Sequence, residues 1–103
     1  MQKFRILING ENLLVESEGV RMKMGFYTNA FVEAFTEKDA EARALDIIRE
    51  DPDLANIRLN SDDDALQLSI EECCEIESFD GHRVPRDSFM LYPMIPGHSA
   101  DES

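Results

Sequence analysis

Tryptophan is absent from this chain of 103 residues, and cysteine is scarce. The two cysteines, Cys73 and Cys74, are adjacent, so their Cα atoms lie about 3.8 Å apart, closer than a disulfide usually allows. Adjacent side chains on a strand point to opposite faces, and we expect a reduced pair with Cys74 facing the core. A disulfide framework is therefore excluded.

Long apolar runs are also missing. No run approaches the roughly 20 residues that a membrane-spanning helix needs. The N-terminus enters an alternating strand pattern in place of the apolar core of a signal peptide. We therefore expect a cytoplasmic protein that does not contact membranes.

Basic residues are outnumbered. The chain has 10 lysines and arginines against 22 aspartates and glutamates, which gives a formal net charge of −12. A surface of this sign repels phosphate, which argues against nucleic acids as partners and favours a basic protein. Four basic residues are concentrated in the first 23 positions: Lys3, Arg5, Arg21 and Lys23.

Apolar residues are sufficient for one core. They make up 43% of a chain whose length suits one domain. We expect a single α+β domain over residues 1–95. Residues 96–103 begin with Pro96 and Gly97 and contain Asp101 and Glu102, so we expect a disordered acidic tail.

Alternating apolar residues predict a hairpin over residues 3–16. Asn9-Gly10 is typical of a tight turn with two positive φ angles. A two-residue turn at this point gathers four large apolar side chains on one face: Phe4, Ile6, Leu13 and Val15.

Two further long strands are predicted. Residues 21–35 favour an extended segment with a bulge at Gly25 or near Asn29. Residues 66–77 alternate between apolar even positions and polar odd positions, with Glu72 as the one misfit, which suggests another bulge or the end of the sheet.

One helix is predicted between these strands. Thr36 and Asp39 form a capping box, and Pro52 ends the helical pattern. Residues 54–59 read as a link that ends in a strand, and residues 89–92 as the last short strand. The order β-β-β-α-β-β predicts an α+β fold: a mostly antiparallel sheet of about five strands with one helix packed on a face.

The stretch from Gly25 to Ala34, together with the capped helix that follows, resembles a group of short uncharacterised bacterial proteins over residues 25–50. This resemblance implies no activity, cofactor or catalytic residue. Small α+β dimeric-barrel enzymes are a second comparison, but the N-terminal strands hold no histidine. A small RNA-binding barrel of the Sm type fits five strands but neither the charge nor the helix.

One spacing approximates a calcium-binding loop. Asn60, Asp62 and Asp64 alternate, and Glu71 stands at the twelfth position, which is where such a loop places its ligands. Ala65 stands where the loop requires glycine, and a strand follows instead of a helix. A solvated turn is therefore the stronger expectation.

Two basic patterns are candidate ligand sites for a phosphate or carboxylate. One is a strand face with Tyr27 nearby, and the other is the loop of residues 81–87; exposed ion pairs are the competing interpretation of both. Their residues are Lys3, Arg5, Arg21, Lys23, Tyr27, His82, Arg83 and Arg86. No serine or cysteine nucleophile lies beside His82, so no catalytic residue is predicted.

The possible presence of an edge strand carries the main prediction about function. If residues 21–35 or 89–92 lie at the sheet edge, their free backbone groups invite a second subunit. Several methionine and aromatic side chains could provide an adaptable surface, although core packing is the stronger expectation for them: Met22, Met24, Phe89, Met90, Tyr92 and Met94. We expect a non-enzymatic protein-interaction module that forms a homodimer and needs no cofactor. The alternative is a small-molecule or metal binder, or a minor enzyme, that uses the basic strand face or the 81–87 loop.

Overall fold

The computed structural model describes residues 1–94, which form one antiparallel sheet and two α-helices. In chain order the elements are β1 (Gln2–Ser17), β2 (Val20–Ala34), α1 (Glu37–Arg49), α2 (Pro52–Ile57), β3 (Gln67–Ile76) and β4 (Met90–Pro93). A short 3-10 turn, Asp62–Asp64, precedes β3. The strand order across the sheet is β3-β1-β2-β4.

The predicted α+β class with an antiparallel sheet is confirmed. The details differ, because the sheet has four strands and not five, and the described chain has two α-helices and not one. The predicted tail, residues 96–103, and the proposed domain boundary at residue 95 lie outside the described residues.

The sheet has one strand fewer than predicted because the N-terminal segment forms no hairpin at Asn9-Gly10. β1 continues through both residues as a single strand. The turn lies at Glu18-Gly19, where φ angles of 53° and 81° suit a two-residue loop between paired strands. Gly10 instead provides space, since a Cβ there would lie 2.2 Å from Cε2 of Phe26.

A bulge in β1 explains why the predicted apolar face is correct although the turn is wrong. The register between β1 and β2 shifts between Gly10 and Leu13, so that two residues of β1 lie opposite Gly25. Asn12, inside this bulge, has a φ angle of 66°. Because of the extra residue, even-numbered side chains face the core before the bulge and odd-numbered ones face it after the bulge. The predicted two-residue turn would have placed the same side chains on one face. The gathered side chains are all buried: Phe4, Ile6, Leu13 and Val15.

The capped helix is confirmed at its start. The backbone N–H of Asp39 donates to Oγ1 of Thr36 at 3.1 Å, and α1 buries three small or branched side chains against the sheet: Ala40, Ala44 and Ile48. Pro52 does more than end this helix, because it opens α2 directly after the N-cap Asp51. Its fixed φ suits a first helical position, so the link predicted to end in a strand is helical.

A second bulge, in β3, reverses the expectation for the cysteines. The register with β1 passes from Ile70 to Glu72, which leaves Glu71 as an extra residue and accounts for the misfit in the pattern. Beyond the bulge the odd residues face the core. Cys73 therefore packs against the core, and the prediction that Cys74 points inward is wrong.

The two faces of the sheet are covered differently. α1 packs on one face and closes the hydrophobic core. Residues 77–89 form the connecting loop between β3 and β4. Its first half covers part of the other face, called here the outer face, whereas Phe89 at its end packs against the core. Phe79 meets Phe31 edge-on with ring centroids 6.3 Å apart, and His82 stacks on it at 4.6 Å. Phe31 is therefore only 4% exposed although it points away from the helix.

The close approach of Gly10 to Phe26 is testable. We expect Gly10→Ala to lower the free energy of unfolding by about 2 kcal/mol, because the added methyl overlaps the ring. Chemical denaturation measures this cost. In a Phe26→Leu background the cost should fall by at least half, because the ring is gone. An equal cost in both backgrounds would show that the backbone of Gly10, and not its contact with Phe26, requires glycine.

Candidate functional site

The two edges of the sheet have opposite chemical character. β3 forms one edge, and it carries a bulge and the exposed side chains of Glu71, Glu72 and Glu75. Charged side chains and bulges on an edge strand disfavour the addition of another strand. The β3 edge is therefore protected.

The other edge, β4, has no charged residue. Met90 is 68% exposed and Leu91 is 47% exposed. The backbone C=O of Asn29 accepts from the N–H of Asp87, and the backbone C=O of Lys23 accepts from the N–H of Met94. The odd-numbered residues of β2 therefore point their backbone N–H and C=O toward β4. The register pairs such odd residues with even residues of β4. By strand alternation, the N–H and C=O of Leu91 point away from β2, toward an edge that no strand within residues 1–94 covers; it is called here the open edge.

The short strand β4 is anchored by Tyr92. Its ring lies over Gly25, where a Cβ would come within 2.1 Å of it. Its hydroxyl accepts a hydrogen bond from Nδ2 of Asn9 at 2.9 Å, and its ring lies 5.6 Å from that of Tyr27. An aromatic ring over a cross-strand glycine restores the packing that the glycine lacks, so β4 is held in a defined position.

A polar network fixes the end of the connecting loop to the sheet. Oδ1 of Asp87 accepts hydrogen bonds from the backbone N–H of Asn29 at 2.8 Å and from Oγ1 of Thr28 at 3.0 Å. Oδ2 accepts from Nδ2 of Asn29 at 2.9 Å. Arg5 donates to Oδ1 of the same asparagine at 3.0 Å. The network joins β1, β2 and the loop just before β4 begins.

A buried ion pair holds the same loop to α2. Arg86 donates through Nε and Nη2 to the carboxylate of Asp51 at 2.5 and 3.0 Å, and Nη2 also contacts Asp53 at 2.8 Å. The side chains of Arg86 and Asp51 are only 11% and 9% exposed. The guanidinium lies 3.9 Å from the centroid of the Phe89 ring. The hydrogen bonds from Arg86 hold the pKa of Asp51 below its usual value, although burial opposes this shift.

The predicted basic strand face is divided into two separate parts. Lys3 and Arg5 lie at one end of β1, whereas Lys23 lies opposite Leu14, roughly 25–30 Å along the strand from Arg5. Arg21 is further still toward the hairpin turn. Three of these cations have acidic neighbours: Lys3 with Glu33 at 3.7 Å, Arg5 with Glu72 at 2.9 Å and Lys23 with Asp64 at 2.6 Å.

The side chains of the 81–87 loop are only partly brought together. His82 stacks on the outer face, whereas Arg83 and Arg86 line one open cavity beside the start of α2. Tyr27, which the pattern grouped with the basic residues, instead lies beside Tyr92 and opposite Met90. A ligand role for these residues stays a prediction.

Two of the predicted calcium ligands lie close together, since Nδ2 of Asn60 donates to the backbone C=O of Asp64 at 2.9 Å. Asp64 binds Nζ of Lys23 and Nδ2 of Asn12, and the hydrogen bond from Lys23 lowers its pKa. Asn60 accepts from the backbone N–H of Leu14 at 3.0 Å. Asp62 begins the 3-10 turn and Glu71 lies in β3. Among the described residues, no group of three or more His, Cys, Asp or Glu side chains is arranged to hold a metal ion; calcium binding stays a prediction.

Comparison with protein-family models, with curated proteins and with solved structures finds no match to this chain. The resemblance of residues 25–50 to short bacterial proteins therefore stays a prediction. Within residues 1–94, no helix is long and apolar enough to cross a membrane.

The anchors of the connecting loop were missed by reasoning from the sequence. Asp51 was not singled out from the sequence, and Asp87 was grouped with the ionisable residues of the 81–87 loop and not with Thr28 and Asn29. A weak signal existed for Asp51, because an aspartate directly before a proline is typical of a helix N-cap. Nothing local indicates that Arg86 reaches Asp51, since 35 positions separate them.

Removal of the Arg86 side-chain charge should destabilise the fold. We expect Arg86→Met to lower the free energy of unfolding by about 3 kcal/mol, because Asp51 is left buried without its partner. Urea denaturation measures the change. Arg83→Met is the matched control, since Arg83 is exposed in the same loop, and it should cost less than about 0.5 kcal/mol. Equal costs for both variants would contradict the assigned ion pair.

The same ion pair predicts a dependence of stability on pH. The folded-state pKa of Asp51 lies below its unfolded value, so its contribution is complete above about pH 4 and is lost as the pH falls through the folded pKa. Asp51→Asn keeps the helix cap but removes the charge. The stability difference between the native chain and this variant should be constant from pH 7 to 5 and shrink toward pH 3. A difference that grows on acidification would contradict the assignment.

Proposed function

We propose that this chain is a non-enzymatic protein-interaction module that accepts an extended segment of a partner as a new strand beside β4. The observation that carries the proposal is the open edge at Leu91, whose backbone N–H and C=O point away from β2 in a strand without charge. Strand addition of this kind takes its affinity from main-chain hydrogen bonds and its specificity from alternate side chains.

The positioning of β4 supports this proposal. Tyr92 fixes the strand from the outer face, and Asp87 and Arg86 fix the loop that leads into it. A pre-positioned edge loses less conformational entropy when a partner strand binds. The contrast with β3 also supports it, because glutamates protect that edge while β4 has exposed Met90 and Leu91.

The same proposal includes the expected cytoplasmic location and a basic partner. Cys73 and Cys74 are both free thiols, as is usual in a reducing compartment. A basic protein is expected on the acidic β3 side, away from β4, because complementary charge steers association. The small-molecule alternative has less support, since Arg5 is already engaged by Glu72 and Asn29.

Strand addition can be tested with a library of random 12-residue peptides selected on the full chain. We expect enriched peptides to bind the native chain and to lose at least about 10-fold in affinity for Leu91→Pro, because proline removes the outward N–H and blocks the edge. Isothermal titration calorimetry measures the affinity. Leu91→Val is the matched control, because it keeps the N–H, and it should bind within about threefold of the native chain.

Two results would count against this function. One is peptides that bind Leu91→Pro as well as the native chain, which would place docking elsewhere. The other is a selection from which no binding peptide emerges.

A further inference from the structure

We infer that the open edge of β4 binds β4 of a second copy of this chain. The two strands pair antiparallel about a two-fold axis that passes beside Leu91. This inference rests on the proposed function, because it requires that β4 accept a strand. It adds the identity of the partner, the register and the symmetry.

Leu91 is the residue at which the two strands meet. Because its N–H and C=O both point to the open edge, Leu91 of each copy donates to and accepts from Leu91 of the other. The contact uses the same patch on both molecules, so it closes into a dimer and does not propagate into a filament. The four-stranded sheet of each copy continues into that of the other.

The side chains beside Leu91 are self-complementary in this register. Residues directly opposite each other in an antiparallel pair lie on the same face. Met90, which is 68% exposed, comes to lie beside the ring of Tyr92 in the other copy, and the reverse contact forms by symmetry. Contacts between methionine sulfur and an aromatic ring are favourable. On the opposite face, the two Leu91 side chains cover each other.

Charge favours this edge over the other for two copies of the same molecule. Each copy carries −12, so most approaches are repulsive, and paired β3 edges would bring their glutamates together. β4 is uncharged, and the adjacent β2 contains two basic residues and one acidic residue: Arg21, Lys23 and Glu33. Within residues 1–94, pairing at β4 therefore joins two acidic molecules through strands that carry few acidic residues.

The expected dimer has a small interface and a recognisable salt response. A short strand edge falls at the low end of protein interfaces, so dissociation constants of about 10–100 µM are expected. The remaining charges of the two copies repel each other, and salt screens this repulsion. Affinity should therefore rise with salt. A basic protein bound to the acidic surface would show the opposite response.

Sedimentation equilibrium of the full chain tests the inference, at protein concentrations from about 5 to 500 µM and in 20 and 300 mM NaCl. We expect a monomer–dimer equilibrium that tightens about threefold or more in the higher salt. Met90→Glu should weaken it at least about 10-fold, because a glutamate is placed at the interface. Phe35→Glu is the matched control: Phe35 is 73% exposed and lies outside β4, and its substitution makes the same change in net charge.

Hydrogen exchange of the Leu91 amide locates the contact. Its protection should increase with protein concentration in the native chain. A chain that stays monomeric over the whole range, or a dimer that Met90→Glu and Leu91→Pro leave intact, overturns the inference. Protection of Leu91 that does not change with concentration also overturns it, because the chain's own residues would then cover the edge.

The outcomes separate the two proposals. A monomer that still binds selected peptides at Leu91 overturns the second copy as occupant and leaves strand addition standing. A monomer that binds no peptide overturns both. Should Met90→Glu fail to fold, as judged by its circular dichroism spectrum, Leu91→Pro takes its place.

Discussion

The long antiparallel ladder between β1 and β2 is the interaction on which the other elements depend. β3 pairs with the free side of β1, β4 pairs with the free side of β2, and α1 packs across their common face. The ladder reaches nearly its full length because β1 passes through Asn9-Gly10 without turning. Gly10 permits this by accommodating the ring of Phe26, which puts a large buried side chain at the centre of the sheet.

Polar contacts reinforce the attachment of the connecting loop. Phe79 packs on Phe31 and Phe89 packs against the core, and between them Asp87 and Arg86 bind the loop to β2 and α2 through charge-assisted hydrogen bonds. β4 follows directly, and the ring of Tyr92 over Gly25 locks it to the sheet. These contacts hold in place four residues that would be marginal as an isolated strand.

The distribution of charge makes the two edges chemically different. A net charge of −12 keeps acidic molecules apart in general, and the glutamates of β3 concentrate that effect at one edge. β4 carries no charge, and its protection is limited to its short length and to Pro93, which has no N–H to donate. An uncharged, pre-positioned edge in an otherwise acidic protein is a place where association meets little electrostatic opposition, and this asymmetry is the physical basis of the function proposed here.

The sequence by itself determined the fold class, the start of α1 and the composition of the core face, because alternation and capping act over a few neighbouring residues. It did not determine the turn, because Asn9-Gly10 suits a hairpin equally well, and the continuous strand is favoured by contacts of these two residues with distant ones such as Phe26 and Tyr92. Tertiary structure also decided which cysteine faces the core, through the bulge at Glu71, and which edge stays open. These features depend on contacts between residues far apart in the chain, which no local pattern contains.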